Sequence, residues 1–543
     1  MSRASDEPTS RPNVVLVLAD DLGYSDIGCF GSEIETPNLD ALAAAGVRLS
    51  SFTNTARCSP SRASMLTGLH PHQTGVGLLT GDDGPGGYPG SLNDRCVTIA
   101  EVLAAAGYRT YMSGKWHVSH EKDRLDAAWP TRRGFQQFYG TLDGCGSYFA
   151  PRRLTRGETD ISHEATEDPD FFYTDAITDA AVGFIEGHHR DSVGTPLFCY
   201  VAYTAPHFPL QAPPADIEAQ AGRYKAGWDV LREQRIEKLV DLGLIEPDTV
   251  PSGRDRKVPP WDQVENPEWE QRRMEVYAAQ IAGMDRGIGR LVDALRRCGQ
   301  LDNTLFMFLS DNGGCAEEVP IGSGSEAAAR GVKVIPPATR AGKEILVGNR
   351  PDVWPGGEDT YATYGRGWAN LSNTPFRLFK RWVHQGGISS PFIAHWPAGL
   401  AGREGEICRD TFYMPDILPT LAEAGGATYP VEVAGRDPLP LEGISMLASL
   451  RGRATDRERP QFYEHMGNAA VRRGRWKIVR DYPDDWELYD LDADPAELKD
   501  MAAERPDVVR ALAYAWAEWA YRFQVVPRER IVELARWGIA TRD

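Results

Sequence analysis

Several features are missing from this 543-residue chain, and each absence narrows what it can be. No apolar run approaches the length of a membrane span; Val14 to Ala19 is only strand-sized. Residues Met1 to Pro12 are polar and contain no apolar segment of the kind that drives secretion, so no Sec-type signal is expected. The eight cysteines are scattered, with no Cys-x-x-Cys pair, which predicts reduced, mostly structural thiols and a cytoplasmic location. Positive charge is in deficit: 59 Lys and Arg face 77 Asp and Glu, a net charge of −18 that argues against a nucleic-acid partner. An anionic substrate would have to be met by a local positive site built against that field. No internal repeat or low-complexity tract interrupts the chain. What remains is 42% apolar and 25% charged, ordinary for a globular protein long enough for a large core and two domains.

Short β-branched and apolar runs recur along the first four-fifths of the chain. Asn13–Ala19, Tyr108–Ser113, Leu197–Tyr203, Thr304–Leu309 and Pro391–Trp396 read as buried strands of a parallel or mixed sheet. In open α/β sheets, ligands bind beyond the carboxyl ends of the strands, and here those ends carry chemistry. The first run ends in Asp20-Asp21, two carboxylates that repel unless a cation or donors offset them. The second delivers Lys115 and His117, which share a direction if the segment is extended. The third ends in His207 between Pro206 and Pro209, and the fourth in Asp311-Asn312-Gly313-Gly314. Lys380 precedes a Gly386-Gly387 turn that allows close backbone approach to a ligand.

Helices are expected from Asn38 as cap to Gly46, from a Thr98–Glu101 capping box to Gly107, near Thr174–Glu186, around Val230–Leu242, and over Arg272–Arg297. In the last, Val276, Ile281, Met284, Ile288, Leu291 and Leu295 form a core stripe. Glu317 to Gly367 is a long Gly- and Pro-rich insertion with Trp354, Tyr361 and Tyr364, and Trp368 just beyond. Following Asp311-Asn312, it is expected to wall a pocket. From about Pro430 the chain changes character: Val471–Val479 and Glu487–Leu491 read as antiparallel strands, and Pro506–Phe523 as a packing helix.

The organising stretch is Cys58-Ser59-Pro60-Ser61-Arg62, continued by Ala63 to Gly68. Pro60 suits the first helical position and Gly68 the stop, which puts Cys58 at the mouth of a short helix where backbone N–H groups favour anions. A thiol there is set up to be reactive.

Taken with GKWH at 114–117, TAPHFPLQAP at 204–213, SDNGG at 310–314 and PFRLFK before Gly386-Gly387, this stretch resembles the signature of the type I sulfatases, in which such a Cys is oxidised to Cα-formylglycine. The resemblance covers roughly residues 12 to 425 and, more weakly, the C-terminal part. It implies an alkaline-phosphatase-like α/β fold, a mixed sheet between helices, with a catalytic domain over 12–428 and a smaller α+β domain over 429–543. It also implies that Asp20, Asp21, Asp311 and Asn312, with an oxygen of modified residue 58, bind one divalent cation. All-oxygen ligation suits Ca²⁺ or Mg²⁺, and the resemblance points to Ca²⁺. Arg62 and Lys115 would hold residue 58. Lys115, His207 and Lys380 would bind sulfate oxygens, with His207 or Lys380 protonating the leaving oxygen and His117 acting as the base that releases sulfate.

The activity so implied is hydrolysis of a small-molecule sulfate ester, aryl in preference to alkyl or sugar, by a chain that needs a formylglycine-generating enzyme as maturation partner and neither nucleic acid nor membrane. Two other classes compete. A formylglycine-dependent phosphodiesterase or phosphonate monoester hydrolase typically carries Asp-His where this chain has Asp311-Asn312. A non-catalytic binding protein would show a lost nucleophile or a broken acidic set, and neither is seen. His384 is a further candidate for the pocket lining.

Overall fold

A computed structural model describes residues 11–536, apart from 434, 436 and 454–457. The N-terminal stretch read as lacking a secretion signal therefore lies, for residues 1–10, outside the described residues. The strands are β1 Asn13–Ala19, β2 Val47–Thr53, β3 Arg109–Lys115, β4 Gln137–Thr141, β5 Leu154–Arg156, β6 Thr159–Asp160, β7 Leu197–Ala202, β8 Thr304–Ser310, β9 Gly322–Ser323, β10 Leu346–Val347, β11 Thr360–Tyr361, β12 Ser389–His395, β13 Ile407–Cys408, β14 Phe412–Tyr413, β15 Gln461–His465, β16 Asn468–Arg473, β17 Trp476–Arg480 and β18 Glu487–Asp490.

The core is a mixed sheet in the order β13-β2-β12-β8-β1-β7-β3-β4-β5-β6, with β14 also paired to β2. Strands β8, β1, β7, β3 and β4 run parallel, with Ala19 beside Ser310, Leu18 beside Ala202, and Ala202 beside Gly114. Strand β12 runs antiparallel to both β8 and β2, so the start of β12 and the end of β2 reach the same edge as the carboxyl ends of β1, β3, β7 and β8. Both faces are covered, which is why the parallel strands read as unbroken apolar runs. Val15 and Val17 pack with the long helix Pro267–Arg297 and with Tyr173–Asp191, whereas Val14, Leu16 and Leu18 pack with the Cys58 helix and Ile417–Ala424.

The smaller C-terminal domain is a four-stranded antiparallel sheet, β15-β16-β17-β18, packed on helix Pro506–Arg522. Here the sequence reading needs correction. Val471–Val479 is not one strand but parts of two, broken at Gly474, whose φ of +57° makes the turn. Strand β2 was not anticipated, because Val-Arg-Leu-Ser-Ser-Phe-Thr mixes polar and apolar positions. Asn38 is not a cap: the helix starts at Pro37, and Asn38 Nδ2 donates to Asp285 Oδ2 at 2.8 Å. The insertion has structure of its own, with β9, β10 and β11 forming a small sheet around Ile335, Ile345, Val347 and Tyr361. No helix among the described residues is long and apolar enough to cross a membrane, and no disulfide bond links the eight cysteines.

Gly114 shows how tightly the sheet is drawn together beneath Lys115. Its φ is +110°, and a Cβ there would lie 2.0 Å from Ala202 O. Gly114→Ala is expected to cost on the order of 3 kcal/mol of stability, read as a lower urea midpoint at an unchanged m-value.

Candidate active site

The strand register places the chemistry-bearing residues along one edge. Asp20 and Asp21 follow β1, Lys115 ends β3, His207 lies in the turn after β7, and Asp311 and Asn312 follow β8. Backbone bonds fix these ends to one another: Asp20 N donates to Ala205 O at 3.1 Å and Asp311 N to Ala19 O at 3.2 Å. The Cys58 helix enters from the end of β2, and Lys380 from the segment before β12.

The Cys58 helix runs Cys58–Thr67 and stops at Gly68, whose φ is +69°. It begins two residues earlier than Pro60 suggested. Cys58 is itself the first helical residue and Pro60 the third, still within the turn whose N–H groups have no intrahelical acceptor. Cys58 is buried. Arg62 lies one turn along the same helix.

Three acids and three cations interlock here, all buried. Lys115 Nζ donates to Asp20 Oδ2 at 2.6 Å. Lys380 Nζ donates to Asp21 Oδ1 at 2.7 Å and Oδ2 at 3.0 Å, and lies 3.4 Å from His207 Nε2. Arg62 donates through Nε and Nη2 to Asp311 Oδ2 at 3.0 and 2.7 Å, and its Nη2 lies 3.7 Å from Asp20 Oδ1. Asp311 Oδ1 accepts from Asp21 N at 3.2 Å, and Asn312 Nδ2 donates to Asp21 Oδ1 at 2.6 Å.

Burial raises the Asp21 carboxyl, but the charge that His207 takes up in acid, the Lys380 ammonium and the bonds from Asn312 and Lys380 outweigh it and hold the group far below the usual carboxylate range. Asp311 goes the other way. Burial and the Asp20 charge push it up to about 6 despite Arg62. Burial also depresses both imidazoles, His207 to about 3 against the pull of Asp21, and His117 well below its ordinary value. Lys380 stays protonated, because Asp21 more than offsets its burial. The site thus holds a fixed ammonium beside a neutral imidazole at His207, and a second neutral imidazole at His117.

His117 does not lie on an extended segment with Lys115. β3 stops at Lys115, and His117 has a φ of +54°. This turn brings its ring nitrogens to 3.1 and 3.2 Å from Ser59 Oγ, one residue from Cys58, with the ring seated over Gly144. All the candidates at 20, 21, 58, 62, 115, 117, 207, 311, 312 and 380 therefore lie at this edge. His384 does not: its Nε2 donates to Glu487 Oε2 of the small sheet at 3.3 Å. Of the aromatics in and just beyond the insertion, Tyr361, Tyr364 and Trp368 are packed inside, with Tyr364 stacked on Tyr277 at 4.2 Å, while Trp354 lies outside against Arg272. The insertion still reaches the site, through an ion pair of Glu317 with Arg57, the residue before Cys58.

Other supporting groups were not anticipated. Tyr148 OH donates to Thr204 O and His207 O, both at 2.8 Å, and Gln280 Nε2 donates to Pro209 O at 3.2 Å, so the His207 turn is held from two sides. Tyr277 OH donates to Asp26 Oδ2 at 2.8 Å and lies 3.2 Å from Asp21 O. The one available signal was that Tyr277 and Gln280 are polar members of a largely apolar helix face, which also buries Arg273 and Asp285.

Whether these residues suit a cation can be judged from their oxygens. Asp20 Oδ1 and Asn312 Oδ1 are buried and accept no hydrogen bond, a costly state that a metal ion relieves. Asp20, Asp21 and His207 can each direct a ligand atom into a space less than 4.8 Å across. Asp20 and Asp21, joined by Asp311 and Asn312, would supply a hard, oxygen-only donor set of the kind that suits Ca²⁺ or Mg²⁺.

Comparison with known proteins agrees with this geometry. The family model described as Sulfatase matches residues 12–427, and that described as N-sulphoglucosamine sulphohydrolase, C-terminal, matches 376–514. The chain is 33% identical to an uncharacterised sulfatase of Schizosaccharomyces pombe, over 94% of this chain and 93% of that one. It is 33% identical to an arylsulfatase of Klebsiella aerogenes, over 81% of this chain and 92% of that one. Among solved structures, Ps i-CgsB in complex with a neocarrahexaose superposes with a TM-score of 0.66 at 24% identity, covering 94% of this chain and 93% of that one, which is a likeness of fold.

With Cys58 left unmodified, calorimetry is expected to show one equivalent of Ca²⁺ bound, with affinity level above neutrality. It should weaken by about tenfold per pH unit as pH falls below the value of about 6 at which Asp311 takes up a proton. Asp311→Asn should abolish that pH limb. An affinity that does not change through this range would exclude Asp311 as a ligand.

Proposed function

The chain belongs to the sulfatase family, and from that premise we propose that it hydrolyses sulfate monoesters, with an oxidised residue 58 as nucleophile and Ca²⁺ held by Asp20, Asp21, Asp311 and Asn312. The observation that carries this reading is the seating of Cys58, buried in the first turn of the helix whose Arg62 donates to Asp311, in an acidic cluster with two donorless oxygens. The hydrated aldehyde of formylglycine supplies one hydroxyl to attack sulfur and a second whose deprotonation lets sulfate leave by C–O cleavage. A bound Ca²⁺ supplies a Lewis acid that draws negative charge from the transferring sulfuryl group.

The protein's own groups do the rest. Lys115, His207 and Lys380 would bind the sulfate oxygens, and in a water-poor site fixed ammonium donors such as those of Lys115 and Lys380 stabilise developing charge strongly. Lys380, protonated and 3.4 Å from His207 Nε2, gives the leaving oxygen its proton directly or through that imidazole. His117, held neutral and one residue from the nucleophile through Ser59, takes the proton whose loss releases sulfate. Arg62 fixes Asp311 and orients residue 58.

For the alcohol, an aryl group is the reading we adopt. The aromatics in and just beyond the insertion do not support it, since Tyr361, Tyr364 and Trp368 are consumed in packing. Phe208 does: its ring is only partly buried, lies 4.2 Å from the His207 ring, and is braced edge-on by Tyr361. The Klebsiella relative bears the name arylsulfatase. A carbohydrate sulfate is the second reading, favoured by the structural neighbour solved with a neocarrahexaose. Asn312 in place of a nitrogen ligand disfavours phosphate diesters.

A panel of matched aryl, alkyl and sugar sulfates with an aryl phosphate diester, run on matured protein, is expected to give the highest kcat/KM for the aryl sulfate. Phe208→Ala should lower that value about tenfold while changing the sugar sulfate little. Cys58→Ser is expected to complete at most one slow turnover and to accumulate a sulfated protein visible by intact mass. Repeated turnover by that variant would contradict the mechanism.

A further inference from the structure

The stretch from Arg377 to Ile388 carries Lys380, but it also joins the two halves of the site. Lys380 N donates to Gly314 O at 3.1 Å and Gly313 N to Gly387 O at 3.0 Å, which ties it to the Asp311-Asn312 loop. Arg381 N donates to Ala56 O at 2.8 Å and Asn54 N to Ile388 O at 2.8 Å, which ties it to the loop leading into Cys58. The approach is close: a Cβ on Gly313 would meet Gly386 O at 2.0 Å, and one on Gly387 would meet Trp382 O at 1.9 Å. Yet the stretch has little regular structure. Its one helix is the four residues Gln385–Ile388, and Leu378 and Arg381 have φ values of +67° and +87°. A segment so irregular holds its shape only if something outside it does the holding.

The small sheet does this. On β17, Lys477 Nζ donates to Val383 O at 2.9 Å and to Gln385 Oε1 at 3.2 Å, and pairs with Glu497 Oε1 at 2.7 Å. The other oxygen of Glu497, Oε2, accepts from Gln385 N at 2.8 Å. Neither Lys477 nor Glu497 has any exposed side-chain surface. Around this centre, Arg377 and His384 both donate to Glu487 Oε2, and Asn468 Nδ2 donates to Arg381 O at 3.0 Å.

We propose that the buried Lys477–Glu497 pair is a positioning device for catalysis: it fixes the Val383–Gln385 stretch and, through it, the place of the Lys380 ammonium and of the Asn312 loop. The physical case is one of comparison. A buried ion pair is a poor way to gain stability, since apolar residues of equal volume do as well or better. Apolar residues cannot donate to Val383 O while accepting from Gln385 N. What the pair contributes is therefore direction, in a segment whose tip must place a cation to within a fraction of an ångström. The small domain then acts on the chemistry without touching substrate.

The inference rests on the role given to Lys380 above, and the test separates the two. The K477M/E497Q double variant removes the ammonium anchor without leaving a lone buried charge, so the fold is retained. In the matured, calcium-loaded enzyme its kcat for 4-nitrophenyl sulfate is expected to fall about 100-fold, with KM changed far less. By hydrogen exchange, protection should be lost over residues 377–388 while β8 keeps the parent rates, a split that a general loss of stability would not give. Gln385→Leu, which removes one of the three oxygens around Lys477 Nζ, should show the same signature at about tenfold and serves if the double variant does not fold. Parent-like kcat in either folded variant, or protection lost equally across the core, overturns the proposal. Lys380→Ala run alongside distinguishes the failures. Parent-like kcat/KM there overturns the role of Lys380 itself, whereas a large loss there with none in the double variant overturns only the positioning role.

Discussion

Six buried charges at one edge of the main sheet have to cancel, and much of the rest of the molecule follows from that requirement. Asp20, Asp21 and Asp311 face Arg62, Lys115 and Lys380, and none of the six is more than 2% exposed. An unpaired ion at such depth costs several kcal/mol, so no member can be lost or displaced without exposing another to that penalty. The cluster adds little to stability; it has to be supported by the fold around it. A sheet buried on both faces, with apolar side chains in register from β8 to β3, supplies that support and leaves the strand ends as the place where polar groups can collect.

That arrangement explains which parts were legible in the sequence. The parallel strands are unbroken apolar runs, each ends abruptly in charged or amide residues, and the register of parallel strands carries those ends to a common edge whatever lies between them. Asp20-Asp21, Lys115, His207 and Asp311-Asn312 could therefore be placed together without knowing any distance. Gly386-Gly387 was legible for a different reason, since a pair of glycines after a Lys marks backbone approaching backbone, and it does so at Gly313. Elements whose residues serve two environments were not legible. Strand β2 presents polar and apolar residues without clean alternation because its register against β12 shifts between Leu49 and Phe52, which breaks the period of two. The hairpin of β16 and β17 was hidden because its turn is a single Gly474 between arginines, with none of the paired turn residues that mark a hairpin. His384 misled because a buried His beside a Gly-Gly turn looks the same whether it faces a pocket or, as here, Glu487. Tyr148, Tyr277 and Gln280 sit in core stretches, and only the folded chain shows that their polar atoms hold the His207 turn and the loop that carries Asp21.

The insertion and the C-terminal sheet act on this centre differently. The insertion contributes a self-contained cluster around Ile345 and Tyr361, to which Phe208 is packed, and sends Glu317 to Arg57. It shapes the rim. The C-terminal sheet grips the backbone that carries Lys380. Neither brings an atom into the acidic cluster itself. On the proposed function, variation in the rim would change which alcohol is accepted, while variation in the gripping residues would change how the Lys380 ammonium is placed.

The sign of the local charge completes the picture. The chain carries a net charge of −18, and a sulfate ester is an anion. Three carboxylates against three cations leave the cluster neutral as it stands, with Lys115 and Lys380 spending their ammonium charge on Asp20 and Asp21. On the proposed function, a divalent cation held by the same carboxylates takes over that neutralisation and leaves a surplus of positive charge at the one point where an anion must be drawn in against the field of the whole protein. The metal would then matter as much for admitting substrate as for the chemistry, because without it the site has no net attraction to offer.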